Sequence, residues 1–270
     1  MIRFLTTHLT GFFDAVKTVT LTFLYNVELF MGWLPWWAVI LVVILLGWRL
    51  LHLPAGIVFG FLLFLVGSFG YWDMMILTLS IVLTSVAISL LIGIPVGILT
   101  AYSRLTEAVM RPILDAMQTM PSFVYLIPAI MFFGLGKVSA LFATVIYALP
   151  PVIRLTNLAL REVPREMIEA ALSFGSSRWQ MLRKVQLPQA LPTIMAGINQ
   201  TTMMALAMVV IASLVGAKGL GMEVLISINR VDIDRGFEAG LSIVILAIII
   251  DRITQGIANR YNFKKEQGHV

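Results

Sequence analysis

Residues 74–101 read Met74-Met-Ile-Leu-Thr-Leu-Ser-Ile-Val-Leu-Thr-Ser-Val-Ala-Ile-Ser-Leu-Leu-Ile-Gly-Ile-Pro-Val-Gly-Ile-Leu-Thr-Ala101, with no charged side chain. Crossing the hydrocarbon core of a bilayer takes about 20 such residues in a helix. The run is continuous rather than alternating, which selects a helix over a barrel strand. Outward from it, six further apolar stretches occur: 34–51, 53–71, 121–136, 138–153, 194–216 and 237–256. The first two are separated by little more than Arg49 and His52, so they read as a tight helical hairpin. The expected fold class is all-α, a polytopic membrane protein with about seven transmembrane helices.

Composition agrees. Of 270 residues, 59% are apolar and 12% charged. Soluble domains keep roughly a quarter of their residues charged. The net charge of +5 then reflects basic loops on the cytoplasmic side rather than a nucleic-acid partner. The chain has no cysteine, which excludes disulfides, thiolate nucleophiles and iron–sulfur clusters. His8, His52 and His269 are far apart and lack the spacing of metal ligands.

Residues 1–33 carry Ile2, Leu5, Leu9, Phe12, Val16, Val19 and Phe23 at steps of three and four, with Arg3, Thr6, Thr10, Asp14 and Lys17 elsewhere on the wheel. This is an amphipathic helix, expected on the membrane surface, with a partner-binding role as the alternative. No cleavable signal peptide is expected.

Loop charge sets orientation. Residues 154–193 hold Arg154, Arg161, Arg165, Arg178, Arg183 and Lys184; 102–119 hold Arg104 and Arg111; the C-terminal end, with the tail 258–270, holds Arg252, Arg260, Lys264 and Lys265. Seven crossings put all three on the cytoplasmic side, with the N-terminus outside and the C-terminus inside. Segment 217–236, with balanced charge, falls outside.

The longest polar stretch, 154–193, has helix-forming composition. Pro164 suits a helix start, with Glu166 in its first turn. From Glu169 the chain reads Glu-Ala-Ala-Leu-Ser-Phe-Gly-Ser-Ser-Arg-Trp-Gln-Met-Leu-Arg-Lys-Val-Gln-Leu-Pro188. The helix is expected to break at Gly175. A second, with Trp179, Leu182 and Val185 on one side, follows it, and Pro188 and Pro192 punctuate the return to the membrane. The product is a rigid elbow, whose small Ala170 and Ala171 let another surface approach closely.

Glu169-Ala170-Ala171, Gly175, Val185 and Leu187-Pro188 stand at the spacings of the Glu-Ala-Ala loop of ABC importer permeases, with Val185 in place of the family's Ile. Leu114–Pro128, Ala148–Arg154 and Ala196–Ala212 resemble the same regions of the glycine betaine/proline betaine permeases. The resemblance covers roughly 72–257. It implies a five-helix type I importer core over those residues, after the N-terminal segment 1–33 and the hairpin 34–71. It further implies a permease subunit moving a quaternary-ammonium osmolyte by alternating access. Its implied partners are a second permease copy, two ATP-binding-cassette ATPase subunits and an extracellular substrate-binding protein. Glu169, Ala170, Ala171, Gly175, Leu187 and Pro188 would then couple to the ATPase. The chain has no Gly-x-x-x-x-Gly-Lys-[Ser/Thr] phosphate cradle, so ATP and magnesium are expected on the partner and no cofactor or enzymatic activity here.

The polar run Asn199-Gln200-Thr201, with Met203 and Met204, lies inside the sixth apolar stretch. It serves either interhelical hydrogen bonding or the solute route. Pro128, Pro150 and Pro151 are expected to kink their helices. The competing function is an ion-coupled secondary transporter or channel. It would need buried coupling charges and inverted repeats, and neither is legible here. Glycine betaine, proline betaine, choline and carnitine are all compatible solutes.

Overall fold

The protein is described here from a computed structural model covering residues 10–266, with side chains for 11–259. Ile2, Leu5, Leu9, His8 and the end of the tail with His269 lie outside the described residues. So do the side chains of Arg260, Lys264 and Lys265.

The described chain is helical throughout. Helices α1 (Thr10–Trp33), α2 (Trp36–Leu50) and α3 (Leu53–Ser68) precede α4 (Trp72–Tyr102) and α5 (Arg104–Thr119). A 3-10 turn (Ser122–Tyr125) leads into α6 (Leu126–Phe133), followed by α7 (Lys137–Arg161) and α8 (Arg165–Ser173). Helix α9 runs from Arg178 to Val215, and α10 (Leu220–Arg230) and α11 (Ile233–Glu266) complete the chain.

By length and composition, α4, α7, α9 and α11 can each cross a membrane. Two bent pairs, α1 with α2 at 90° and α5 with the segment Ser122–Phe133 at 113°, raise the number to at most six. The seven apolar stretches therefore do not map one to one onto full spans. Helix α2 has 15 residues, α3 has 16 and α6 has 8. At 1.5 Å per residue none of these reaches the roughly 30 Å of a hydrocarbon core. Hydropathy counts apolar residues; it does not see that 104–119, read as a charged loop, makes half of a bent pair with Ser122–Phe133.

Helix α7 packs along both α4 and α9. Gly93 and Gly97 on α4 make this contact close: a Cβ on Gly93 would come within 2.3 Å of Val152, and one on Gly97 within 2.6 Å of Thr156. Small residues four apart let helix backbones approach where lipid supplies no hydrophobic drive. The α2–α3 hairpin is tight for the same reason, since a Cβ on Gly56 would meet the Ile44 carbonyl oxygen at 2.4 Å. The hairpin closes through His52, whose Nδ1 accepts from the Ala55 N–H at 3.1 Å. This is a capping role, not metal ligation.

Helix α1 rests on the core through Phe13, which stacks on Phe132 with centroids 4.6 Å apart, through fully buried Leu24, and through Glu28. Both Glu28 carboxylate oxygens accept from Lys137 Nζ at 2.7 Å. The apolar stripe read from the sequence turns the other way: Phe12, Val19 and Phe23 are exposed. Periodicity finds an apolar face, but not whether protein or lipid covers it. Trp33, Trp36 and Trp37 are exposed around the α1–α2 bend, as expected for rings at a membrane–water boundary.

Candidate functional site

The elbow begins where α7 ends. Helix α8 stops in a Schellman motif: the Ser176 N–H bonds to the Ala171 carbonyl at 3.1 Å and the Gly175 N–H to Leu172 at 2.9 Å. Gly175 has φ +74°, the left-handed region where a side chain is strained. Two residues on, Ser177 caps α9. Its hydroxyl accepts from the Gln180 N–H at 3.3 Å, while the Gln180 amide oxygen accepts from the Ser177 N–H at 2.9 Å. The Ser-x-x-Gln pattern of this capping box was available in the sequence as a helix-start signal. Between the two helices the backbone is fixed at every step, which makes the turn stiff.

From its cap, α9 runs on without a break. Pro188 and Pro192 lie inside it rather than marking the end of a separate helix. Proline at 188 cannot donate to the carbonyl one turn back. The chain meets this with a π turn over Leu182–Gln186, in which the Leu187 N–H reaches the Leu182 carbonyl. The Tyr102 hydroxyl at the end of α4 donates to the amide oxygen of buried Gln186. Leu182 packs with Ala159, Leu160, Ala190 and Ile194. The elbow is therefore one rigid piece with the core helices.

The six coupling residues divide by exposure. Glu169, Ala170, Gly175 and Pro188 are exposed, Leu187 is half-buried, and Ala171 is buried. Around them lie large apolar side chains that the motif does not include: Leu172 (52% exposed), Phe174 (90%) and Trp179 (66%). Trp179 does not share a covered face with Leu182 and Val185, as the helix wheel suggested; Leu182 is buried and Trp179 points out. Rings this exposed make an apolar surface at the tip of the projection.

Beside the elbow, α5 is held against α7 by two ion pairs. Glu107 accepts from Arg161 at 2.6 Å, and Arg154 pairs with Asp115. Arg161 also donates to the Thr100 carbonyl at 3.1 Å. The sequence shows the spacing, since Glu107 and Asp115 are two turns apart and so are Arg154 and Arg161. Reading these arginines only as loop charge hides the pairing. Glu107, Asp115 and Arg154 line a groove of about 570 Å³.

The five route candidates on α9 do not converge. Asn199 donates to Asp251 on α11 at 2.8 Å, and Gln255 donates to the same carboxylate. Thr201 is fully buried, Gln200 is exposed, and Met203 and Met204 pack near Val82, Val86 and Ala148. Successive residues lie about 100° apart on a helix, so Asn199, Gln200 and Thr201 cannot share one face.

A family profile described as the binding-protein-dependent transport system inner membrane component matches residues 93–263. The chain is 55% identical over 193 residues to the glycine betaine/carnitine transport permease protein GbuB of Listeria monocytogenes, covering 72% of this chain and 68% of that one. It is 45% identical over 262 residues to the glycine betaine transport system permease protein OpuAB of Bacillus subtilis, covering 96% and 91%. Among solved structures, the inward-facing MetNI methionine ABC transporter matches with a TM-score of 0.64 at 25% identity, covering 68% of this chain and 93% of that chain.

Proposed function

Because the chain belongs to the family of binding-protein-dependent transport system inner membrane components, we propose that it is the permease subunit of an ATP-binding-cassette importer for glycine betaine or a related quaternary-ammonium osmolyte. Two copies pair with two ATPase subunits and receive solute from an extracellular binding protein. ATP and magnesium act on the ATPase. The elbow faces the cytoplasm, and α9 and α11, the two crossings that follow it, return the chain to that side; the basic residues of 154–193 and Arg104, at the start of α5, then lie on the cytoplasmic side.

The observation that carries this reading is the elbow itself. A Schellman stop, a capping box and a π turn fix a projection whose tip exposes Phe174 and Trp179. Glu169, Ala170, Ala171, Gly175, Leu187 and Pro188 shape the seat for the ATPase, and the exposed rings fill it. Closure of the ATPase pair pushes the elbow. The push passes into α9 directly and into α4 through Gln186 and Tyr102. On α9 we assign exposed Gln200 to the solute route and Asn199 to α9–α11 packing.

The test is reconstitution with the ATPase and binding protein in proteoliposomes. Glu169→Ala combined with Gly175→Pro is expected to abolish both ATPase co-purification and ATP-driven glycine betaine uptake. Survival of both would remove the docking assignment.

A further inference from the structure

The break between α5 and α6 has no part in the coupling described above. Helix α5 climbs α7 from Arg161, where Glu107 pairs, to Arg154, where Asp115 pairs. Past the break, Tyr125 sits edge-on to Tyr147 with ring centroids 5.7 Å apart. Met117, three residues before the break, packs in one cluster with Leu149 and Val152, so the break at Met120-Pro121 falls close to the middle of the 25-residue α7.

At mid-depth a membrane helix normally satisfies every carbonyl. Here Met120 and Pro121 are extended, with ψ of 136° and 137°. The carbonyls of Gln118, Thr119 and Met120 receive no hydrogen bond among the described residues. The side chains of Gln118, Thr119, Met120 and Phe123 are exposed at the same place. An amide at this depth is costly against lipid, so the surface belongs to a polar route.

Its chemistry is specific. The C-terminal end of α5 carries partial negative charge, concentrated on those open carbonyls. The Phe123 ring, 58% exposed, adds a π face that attracts a cation. Asp115, the carboxylate nearest along α5, is already paired with Arg154. A trimethylammonium group has no N–H to donate, so it gains from diffuse negative potential and a ring rather than from a directed hydrogen bond. Without a free carboxylate the attraction stays weak enough for release.

The geometry points to the α5–α6 break as a transient site for the solute's cationic head, with Phe123 and the carbonyls of Gln118, Thr119 and Met120 as its contacts. This inference rests on the chain being the membrane subunit of a quaternary-ammonium importer.

The test uses the whole complex in proteoliposomes. The chain has no cysteine, so Phe123→Cys introduces its one thiol. Modification of this chain is followed by mass with a trimethylammonium-bearing methanethiosulfonate and with a sulfonate-bearing one. Relative to each reagent's rate with a free thiol in solution, the cationic reagent is expected to react about tenfold faster, drawn by the carbonyls that remain once the ring is removed, and excess glycine betaine to slow it. Equal normalised rates, or no reaction with or without ATP, would overturn the site. Separately, Phe123→Ala is expected to lower glycine betaine uptake about tenfold with ATPase co-purification intact, and Phe123→Trp to restore it. Unchanged uptake in Phe123→Ala would also overturn it. Failure of the unsubstituted chain to hold the ATPase would sink the importer reading instead, and co-purification reads that independently of the thiol rates.

Discussion

The Tyr102 hydroxyl, at the last residue of α4, donates its hydrogen bond to the side-chain oxygen of Gln186 in the π turn of α9. One bond thus joins a core helix to the root of the elbow. Tyr102→Phe would leave a buried amide oxygen unpaired, a loss of about 1–3 kcal/mol. The expected outcome is a lower melting temperature of the purified complex and fewer solute molecules moved per ATP, with the ATPase still bound. Tyr102→Phe with Gln186→Met removes both polar partners and is expected to regain most of the stability. An unchanged uptake-to-ATP ratio in Tyr102→Phe would show that force does not pass through this bond.

Phe174 and Trp179 are 90% and 66% exposed. Replacing either by Glu is expected to weaken ATPase binding by about a hundredfold, as for a buried interface anchor. The melting temperature of the isolated permease should not move. Titration of detergent-purified permease with ATPase separates the two quantities.

Gly175 has open space around the position a Cβ would take, so the penalty for a side chain there is conformational. Gly175→Ala is expected to cost about 1 kcal/mol, and Gly175→Asn less, because Asn tolerates the left-handed region. Thermal unfolding of both variants should rank them in that order. Equal melting temperatures for Gly, Asn and Ala would mean the turn relaxes to another conformation.

Gly97 presents the opposite case. Its φ is ordinary, but a Cβ would meet Thr156 Cβ at 2.6 Å and the Ile153 carbonyl oxygen at 2.9 Å. Gly97→Leu must push α4 away from α7, an overpacking cost of more than about 2 kcal/mol. We expect loss of folded protein on solubilisation, measured as recovery by size-exclusion chromatography. Gly11→Leu, with nothing near its Cβ, is the control.

The local signals in the sequence were faithful where their physics is local. The uncharged run at 74–101 became α4, Pro164 and Gly175 bound α8, and the elbow stands between the fifth and sixth apolar stretches as its composition predicts. Each of these features depends on neighbours within a turn or two: apolar length, a fixed φ, a residue free to take positive φ. Tertiary structure decided what depends on distant neighbours. It carried α9 through Pro188 and Pro192 by a π turn, and turned Trp179 outward and Leu182 in. It gave Asn199 to Asp251 and joined 104–119, read as a loop, to Ser122–Phe133 as a bent pair. A single sequence records which side chains are apolar or charged, but the partner that satisfies each one comes from a helix tens of residues away, and only packing brings the two together.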